Sequence, residues 1–528
     1  MSKKENYDAV IIGGGHNGLA CAGYLAAKGK SVKVLERRHI VGGAAVTEEI
    51  IPGFRNSTCS YAMSLLHPNI IADLNLEKYG LQIHKEEHTM LVMSENDHLF
   101  LSEKTFVDEV ARHHPDDLEG YEKLHDTIEA IADVLREVAF ETPPNLGGGL
   151  MDLWRTGKLA NHLRKLTPEL QAETYRMFTM NIRDFLKRYI KGDLMQVVMA
   201  HSSQVGTLQS VDSGGTAYVL LHHMFGIVND QKGEYAHIHG GMGSISNAMA
   251  ASAKARGVDI EVNAAVTSVI IENERAVGVT LEDGREIRAK VVVSNINPKL
   301  LFAEMVDEKH VPALFTRQIK DYRCHSATFR MNVALDELPK WNCLANHDNY
   351  KEVVQGSMVI GSSLDQYQEA YEDALKYGWS RKPILQMMIP SVIDDSLAPE
   401  GKHVMSLFCQ HFMYELPDGR SWDDAKEEVA DYIIDWVDQH SSNFKKAVVG
   451  RKVLSPLDLE REYGLLGGDI FHGSVVPDQL FSMRPVPGYA DYRMPVKGLY
   501  LCGSGAHPGG GVSGIPGHNA AREILRDI

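Results

Sequence analysis

Tyr7-Asp8-Ala9-Val10-Ile11-Ile12-Gly13-Gly14-Gly15-His16-Asn17-Gly18 is the stretch whose reading decides the fold. The run up to Ile12 is short and almost wholly apolar, the pattern of a strand buried in a parallel sheet. It breaks into glycines that fit G-x-G-x-x-G as Gly13, Gly15 and Gly18. Leu19 to Ala27 continues in small and apolar residues suited to a helix packed on a sheet, and Gly29 supplies a C-cap. In such a unit Gly13 makes the tight turn, Gly15 admits a pyrophosphate close to the backbone, and Gly18 lets helix and strand approach. Unpaired N–H groups at the helix start then face the anion. A second strand, Ser31 to Leu35, ends in Glu36, eighteen residues beyond Gly18. That is close to the ~20 expected of a carboxylate accepting hydrogen bonds from a ribose. A lone glycine pattern is weak, because such turns are common in loops. Strand, glycines, helix, stop, strand and acid in that order predict a dinucleotide site.

The residues after Glu36 select the dinucleotide. Arg37-Arg38-His39-Ile40-Val41-Gly42-Gly43-Ala44-Ala45-Val46-Thr47 sets a second glycine pair beside the first, where a second close approach to phosphate is useful. Plain nicotinamide-binding domains do not need it. Here the chain resembles the flavoprotein family of phytoene desaturases, amine oxidases and relatives, which carry L-E-x-R-x-x-x-G-G-R-x-x-T after the second strand. Leu35, Glu36, Arg38, Gly42, Gly43 and Thr47 match, and Ala44 stands where the pattern has arginine. That departure is typical of one branch, the proteins like pyridine nucleotide-disulfide oxidoreductase domain-containing protein 2, and the run Gly42 to Leu66 resembles the same branch. The resemblance implies FAD as cofactor, with Gly13, Gly15, Asn17, Gly18, Glu36, Arg37, Arg38, Gly42, Gly43, Ala44 and Thr47 among its binding residues.

At 528 residues the chain is too long for one ordinary core, so two structural domains are expected, and 44% hydrophobic residues can fill both. The formal net charge of -16 argues against nucleic acid as a partner and is read as serving solubility. No uninterrupted apolar run is long enough for a transmembrane helix, and Met1 to Asn6 leaves no space for a signal peptide before the first strand. A cytoplasmic protein is the expectation. Cys21, Cys59, Cys324, Cys343, Cys409 and Cys502 are scattered singly, the distribution of reduced, mostly buried thiols rather than a dithiol centre.

Along the chain, the composition from Ile71 to about Asp230 is helical. Within it Leu159, Leu163 and Leu166 recur at helical spacing among Arg155, Lys158, Arg164 and Lys165. Such a helix can lie on an anionic membrane as a peripheral contact, or bury its apolar face in the core, the ordinary reading. A helix over Ser244 to Ala255 comes next, then period-two segments at 265–272, 276–282 and 286–289 with Asp283-Gly284 as a hairpin turn. They predict a small antiparallel meander before a strand at 291–294. In the family this section contacts FAD, and Val266 matches the valine whose backbone meets the adenine. Strand-like runs at 326–335, 384–389 and 403–409 then alternate with helices such as 422–440.

The end returns to the cofactor. Gly498 to Gly503 reads as a strand, Ser504 to Gly514 as a glycine-rich loop, and about Gly517 to Leu525 as a helix. The family has L-x-G-x-G-T-H-P-G-x-G-x-x-G here, matched by Gly503, Gly505, His507, Pro508, Gly509, Gly511 and Gly514, with Ala506 replacing threonine. The resemblance adds Gly503, Ser504, Gly511, Val512 and Ser513 to the FAD site. The final helix would point its positive end at the part of the flavin that gathers negative charge on reduction.

Other patterns carry less. His84-Lys85-Glu86-Glu87-His88 matches H-x-x-E-H, but comes after the strand-like Leu81-Gln82-Ile83 and not on the helix a zinc protease needs. His237-Ile238-His239, His113-His114 and His222-His223 read as solvated or core histidines. His472 and His507 sit in loops expected near the flavin and are the catalytic candidates, a backbone-bonded structural role being the alternative.

Together these readings predict an α/β fold. A Rossmann-type FAD-binding domain, parallel sheet plus antiparallel meander, is built from residues 1–75, 235–300 and 480–528. An α+β substrate domain of mixed sheet and helices is built from 76–234 and 301–479. The resemblance implies an FAD-dependent oxidoreductase that desaturates an apolar small molecule by hydride transfer to flavin N5, with an electron acceptor the sequence does not name. Saturation or isomerisation of a double bond, or an FAD-containing binding protein for a membrane complex, are the alternatives.

Overall fold

The computed structural model describes residues 6–84, 89–95, 97–228, 231–233, 235–325, 328–345 and 350–528. Two seven-stranded sheets organise them. In the first, the strands run in the order Asp259–Glu261, Val32–Leu35, Asn6–Ile12, Glu286–Ser294, Arg275–Leu281 and Val266–Glu272. The predicted third meander segment and the strand after it are one element, Glu286–Ser294, whose far edge is shared. Its first half pairs antiparallel with the meander, Arg288 opposite Gly278, and its second half pairs parallel with Leu499–Leu501, Val293 opposite Tyr500. On the near edge Val293 lies opposite Ile11. The strand that opens the fold and the one near its end are therefore separated by a single strand and finish level with it.

This register follows from burial. Val10, Ile11, Val291 to Val293 and Leu501 are fully enclosed, so a slip would expose an apolar run on both faces. The helix His16–Ala27 covers one face, and the helix Ile515–Asp527 packs beside it, so closely that a side chain at Gly517 would strike the Asn17 carbonyl.

The second sheet runs Val448–Leu454, Phe329–Leu335, His403–Phe412, Trp379–Met388, Ser357–Ile360, Met90–Met93, His98–Leu101. It is antiparallel except where Ser357–Ile360 meets Met90–Met93. Two strands thus come from a stretch read as helical, because Met90–Met93 and His98–Leu101 are too short to show a period against helix-rich neighbours. One face carries a core with Trp341, Trp422 and the helix Trp422–Asp438, the other a helical core that includes Asp117–Ala139 and Asp193–Gln204.

His84 ends a two-residue strand paired with His237–Ile238. Lys85 to His88, the rest of the H-x-x-E-H pattern, lie outside the described residues, as do Ser326 and Ala327 of the predicted strand. No helix among the described residues is long and apolar enough to cross a membrane.

Candidate cofactor and substrate site

At the carboxyl ends of the first sheet the backbone turns at Gly13, φ +94°. A Cβ on Gly15 would lie 2.7 Å from Asn295 Nδ2, and one on Gly18 would strike the Gly13 carbonyl. The Gly15 N-cap offers no side-chain acceptor to the helix His16–Ala27, so its first N–H groups stay free for an anion. Gly42 N–H donates to Gly14 O at 2.8 Å, and a Cβ on Gly43 would lie 3.3 Å from Gly15 Cα, which brings the two glycine pairs together. Glu36 is buried and held from both sides, Oε2 accepting from Gly14 N–H and Oε1 from Arg38 N–H, each at 2.8 Å. The carboxylate is aimed by the backbone and retains lone pairs for hydroxyl donors.

These groups border one cavity of about 360 Å³. Of the sequence-predicted residues, Gly13, Gly15, Asn17, Glu36, Arg37, Arg38, Gly42, Gly43, Ala44, Val266, Ser504, Gly511, Val512 and His472 line it. Arg37 reaches Arg461 O at 3.0 Å, and Arg38 pairs with Glu48 at 2.7 Å. Asn17 Nδ2 donates to Ser504 Oγ at 3.2 Å, and His16 Nε2 lies 3.2 Å from Gly511 O. Residues nearly five hundred positions apart thus share the same wall.

Five predicted site residues are not on that wall. Gly18 serves helix and strand packing, and Gly503 is pressed against the Asn295 backbone. Thr47 Oγ1 accepts from Gly243 N–H at 2.9 Å, capping the helix Gly243–Ala255. Ser513 Oγ accepts from Ile515 N–H at the start of the closing helix. His507 is buried away from the cavity, its Nε2 3.2 Å from Val138 O and its backbone carbonyl accepting from Tyr492 OH. The catalytic expectation for His507 is corrected accordingly, because its ring packs under Asp117–Ala139.

His472 does border the cavity, in the left-handed conformation (φ +55°), with Tyr322 OH donating to its carbonyl at 2.8 Å. Burial, with smaller contributions from His16 and Arg484, pushes its imidazole down to about 4, and burial does the same to His16. Both are neutral near pH 7.

Several wall and support residues were missed. His16, Tyr61, Tyr235, Asn295 and Phe408 line the cavity, and so does His223, read as a core or solvated histidine. A signal existed for Asn295, which comes directly after a strand parallel to the first and so falls at the same sheet end. Arg484 had none. It is fully buried and donates to Ser504 O at 2.7 Å, Phe471 O at 2.9 Å and Gly473 O at 3.3 Å, binding the 471–473 loop to the last glycine loop. Arg330 had none either. Its buried guanidinium donates to Cys59 O, Leu407 O and Ser406 Oγ, lies 4.6 Å from the Tyr61 ring centroid, and has no carboxylate partner among the described residues. Tyr61 gives its only hydrogen to Gln386 Oε1, which also lies 3.0 Å from His201 Nε2. Its oxygen is left as an acceptor toward the cavity.

A parallel sheet with two adjoining glycine turns, a backbone-aimed carboxylate, and a cavity that continues past Ala44 to aromatic walls defines a dinucleotide-binding flavoprotein. The chain belongs to the family of flavin containing amine oxidoreductases, whose profile matches residues 18–333. It is 37% identical to pyridine nucleotide-disulfide oxidoreductase domain-containing protein 2 of Rattus norvegicus, over 99% of this chain and 94% of that one. It is 25% identical to one of the subunits of limonene dehydrogenase from Castellaniella defragrans, over 100% and 96%. The crystal structure of an oxidoreductase from Methanosarcina mazei shares the fold at TM-score 0.60 and 16% identity, over 98% of this chain and 99% of that one.

The cofactor is FAD, and the residues present fit it. The close glycine approaches leave backbone exposed where phosphates sit, Glu36 suits a ribose, and the buried Arg38 Nη1 and Asn17 Oδ1 have no hydrogen-bond partner among the described residues.

Proposed function

We propose that this oxidoreductase dehydrogenates an apolar, uncharged small molecule, forming a new double bond. The observation that carries the reading is Arg330. A protonated amine entering beside Tyr61 and Phe408 would meet a buried, unpaired positive charge in a poorly screened interior. Among the described residues, the acidic ones lining the cavity are Glu36 and Glu304, and neither is at this end: Glu36 caps the strand Val32–Leu35 of the first sheet, and Glu304 neighbours Met305 beside the meander. The walls there are Leu65, Val205, Phe408, Ile470 and Phe471, which suit a hydrocarbon and exclude water. The limonene dehydrogenase relative carries a hydrocarbon substrate in its name, which supports the class.

Bound FAD supplies the hydride acceptor. The chain's part is to align the C–H bond, keep the chamber dry and receive the proton. Neutral His472, whose buried Nδ1 has no hydrogen-bond partner among the described residues, is the residue we assign to that proton. Anaerobic titration of the yellow protein tests the reading: terpenoid alkenes should bleach the flavin band, and amines should not. Bleaching by amines alone, or by NADPH with no response to any alkene, would sink it.

A further inference from the structure

The left-handed backbone of His472 (φ +55°) is unfavourable for a residue with a Cβ, so its surroundings must impose it. They do so through the main chain. Tyr322 OH donates to the His472 carbonyl at 2.8 Å. Arg484 donates to Phe471 O at 2.9 Å and Gly473 O at 3.3 Å, the carbonyls on either side of it. Asp469 Oδ1 accepts from Phe471 N–H at 2.8 Å. The Phe471 ring lies in a slot where a Cβ on Gly206 or Gly510 would collide with it, and Gly473 passes so close to the Tyr322 hydroxyl that a Cβ there would collide as well. The imidazole of His472, by contrast, borders the cavity and makes no hydrogen bond to the protein among the described residues. A structural histidine is the reverse case, as His507 and His222 show. Each sets a ring nitrogen against a backbone carbonyl, 3.2 Å from Val138 O and 3.1 Å from Gly510 O.

The two residues that hold His472 differ in kind. Tyr322 is 2% exposed and gives its one hydroxyl hydrogen to His472 O. Arg484 is fully buried, with no carboxylate at ion-pair distance among the described residues, and also donates to Ser504 O at 2.7 Å and Gln479 O at 3.3 Å. One planar fork thus ties four carbonyls, a task that an ammonium with three hydrogens cannot repeat. The guanidinium lies 6.0 Å from the Tyr322 ring centroid, so the pair forms one brace. Because Ser504 lines the cavity, the same fork sets His472 against the last glycine loop. The titratable and charged groups facing the ring are Arg484, His16 on the helix His16–Ala27 and Tyr322, with Asp469 in the same loop. A base serves a C–H bond only when its nitrogen is held in line, and a misplacement of ~1 Å can cost about a hundred-fold in rate.

We propose that Tyr322 and Arg484 are positioning residues for the dehydrogenation, holding the His472 backbone in the conformation that presents its ring to the substrate; the proposal rests on the proton role given to His472 above. Tyr322→Phe keeps the ring and removes only the hydroxyl, and Arg484→Lys keeps the charge and removes the fork. Per bound flavin, anaerobic bleaching by the alkene that serves the wild type should slow about ten-fold in Tyr322→Phe and about a hundred-fold in Arg484→Lys, with the half-saturating alkene concentration unchanged. His472→Asn separates positioning from bracing of the fold: either substitution made in that background should slow bleaching no further. The ring also reports on itself. With histidines labelled at Cε1, the signal missing from His472→Asn should titrate at about 4 in the wild type and closer to 6.5 in Tyr322→Phe, where a loosened ring admits water. Wild-type bleaching rates in folded, FAD-loaded Tyr322→Phe overturn the proposal, and so do losses that add undiminished to that of His472→Asn. If no alkene bleaches the wild type, the reading of the reaction fails separately and the histidine signal decides: a raised titration in Tyr322→Phe supports the positioning role, and an unchanged one overturns it.

Discussion

Glu36 shows how much one side chain does here. Its two oxygens are held by the amides of Gly14 and Arg38, so it fixes the glycine turn as well as facing the ribose position. Glu36→Ala removes both acceptors and leaves buried donors unmet, a loss of about 2–3 kcal/mol in cofactor binding. FAD affinity, tracked by the fluorescence of released flavin, should fall on the order of a hundred-fold. Arg330 works differently, because it has three neutral acceptors and no counter-charge among the described residues. Arg330→Met should destabilise the fold by about 1–3 kcal/mol in a denaturant midpoint, and tolerance of cationic ligands should rise with loss of the charge. The two residues differ in how they could be read from sequence. Glu36 ends a strand at a spacing set by ribose geometry, so it was legible. Arg330 lies inside a strand whose seven residues are all buried, and no periodicity tells a charged member of such a run from a mispredicted edge.

Elements were legible where local chemistry dictated them. The strand, glycine turn and helix at the start, the hairpin at Asp283-Gly284 and the closing helix follow from apolar runs and turn residues a few positions apart. Met90–Met93 and the shared edge of Glu286–Ser294 were not, since each is decided by which distant strand arrives beside it. Thr47 is a similar case, matched by motif yet employed in capping Gly243–Ala255. The contact between the first and last helices is the element-level test. In Gly517→Leu the side chain would collide with the Asn17 carbonyl, displacing Asn17 from Ser504. The purified variant should carry less FAD, read as a lower visible-to-ultraviolet absorbance ratio, while its far-ultraviolet circular dichroism stays near wild type.

At the scale of the whole molecule, buried imidazoles set the response to acid. His16, His67, His201, His222, His411, His472 and His507 are pushed down to about 4 and His223 to about 3, in each case chiefly by burial. Their ordinary value is 6.5, so between pH 6.5 and 4 the unfolded chain binds protons that the folded chain refuses. Stability present above pH 6.5 is therefore lost as pH falls through that window. Calorimetric unfolding at pH 5.5 in buffers of different ionisation heat should report net uptake of about seven protons from these groups, before any from carboxylates. Uptake near zero would show that the rings are hydrated.

The edge of Glu286–Ser294 that receives Leu499–Leu501 has a consequence for biosynthesis. Every other strand of that sheet leaves the ribosome earlier, and the Ser504 and Gly511 side of the cavity is translated after all of them. The nucleotide groove is therefore complete only after Leu499–Leu501 and the 504–511 loop have been made and have joined the earlier strands. FAD bound across the completed groove then stabilises the folded chain by mass action, because the groove exists only in the folded state.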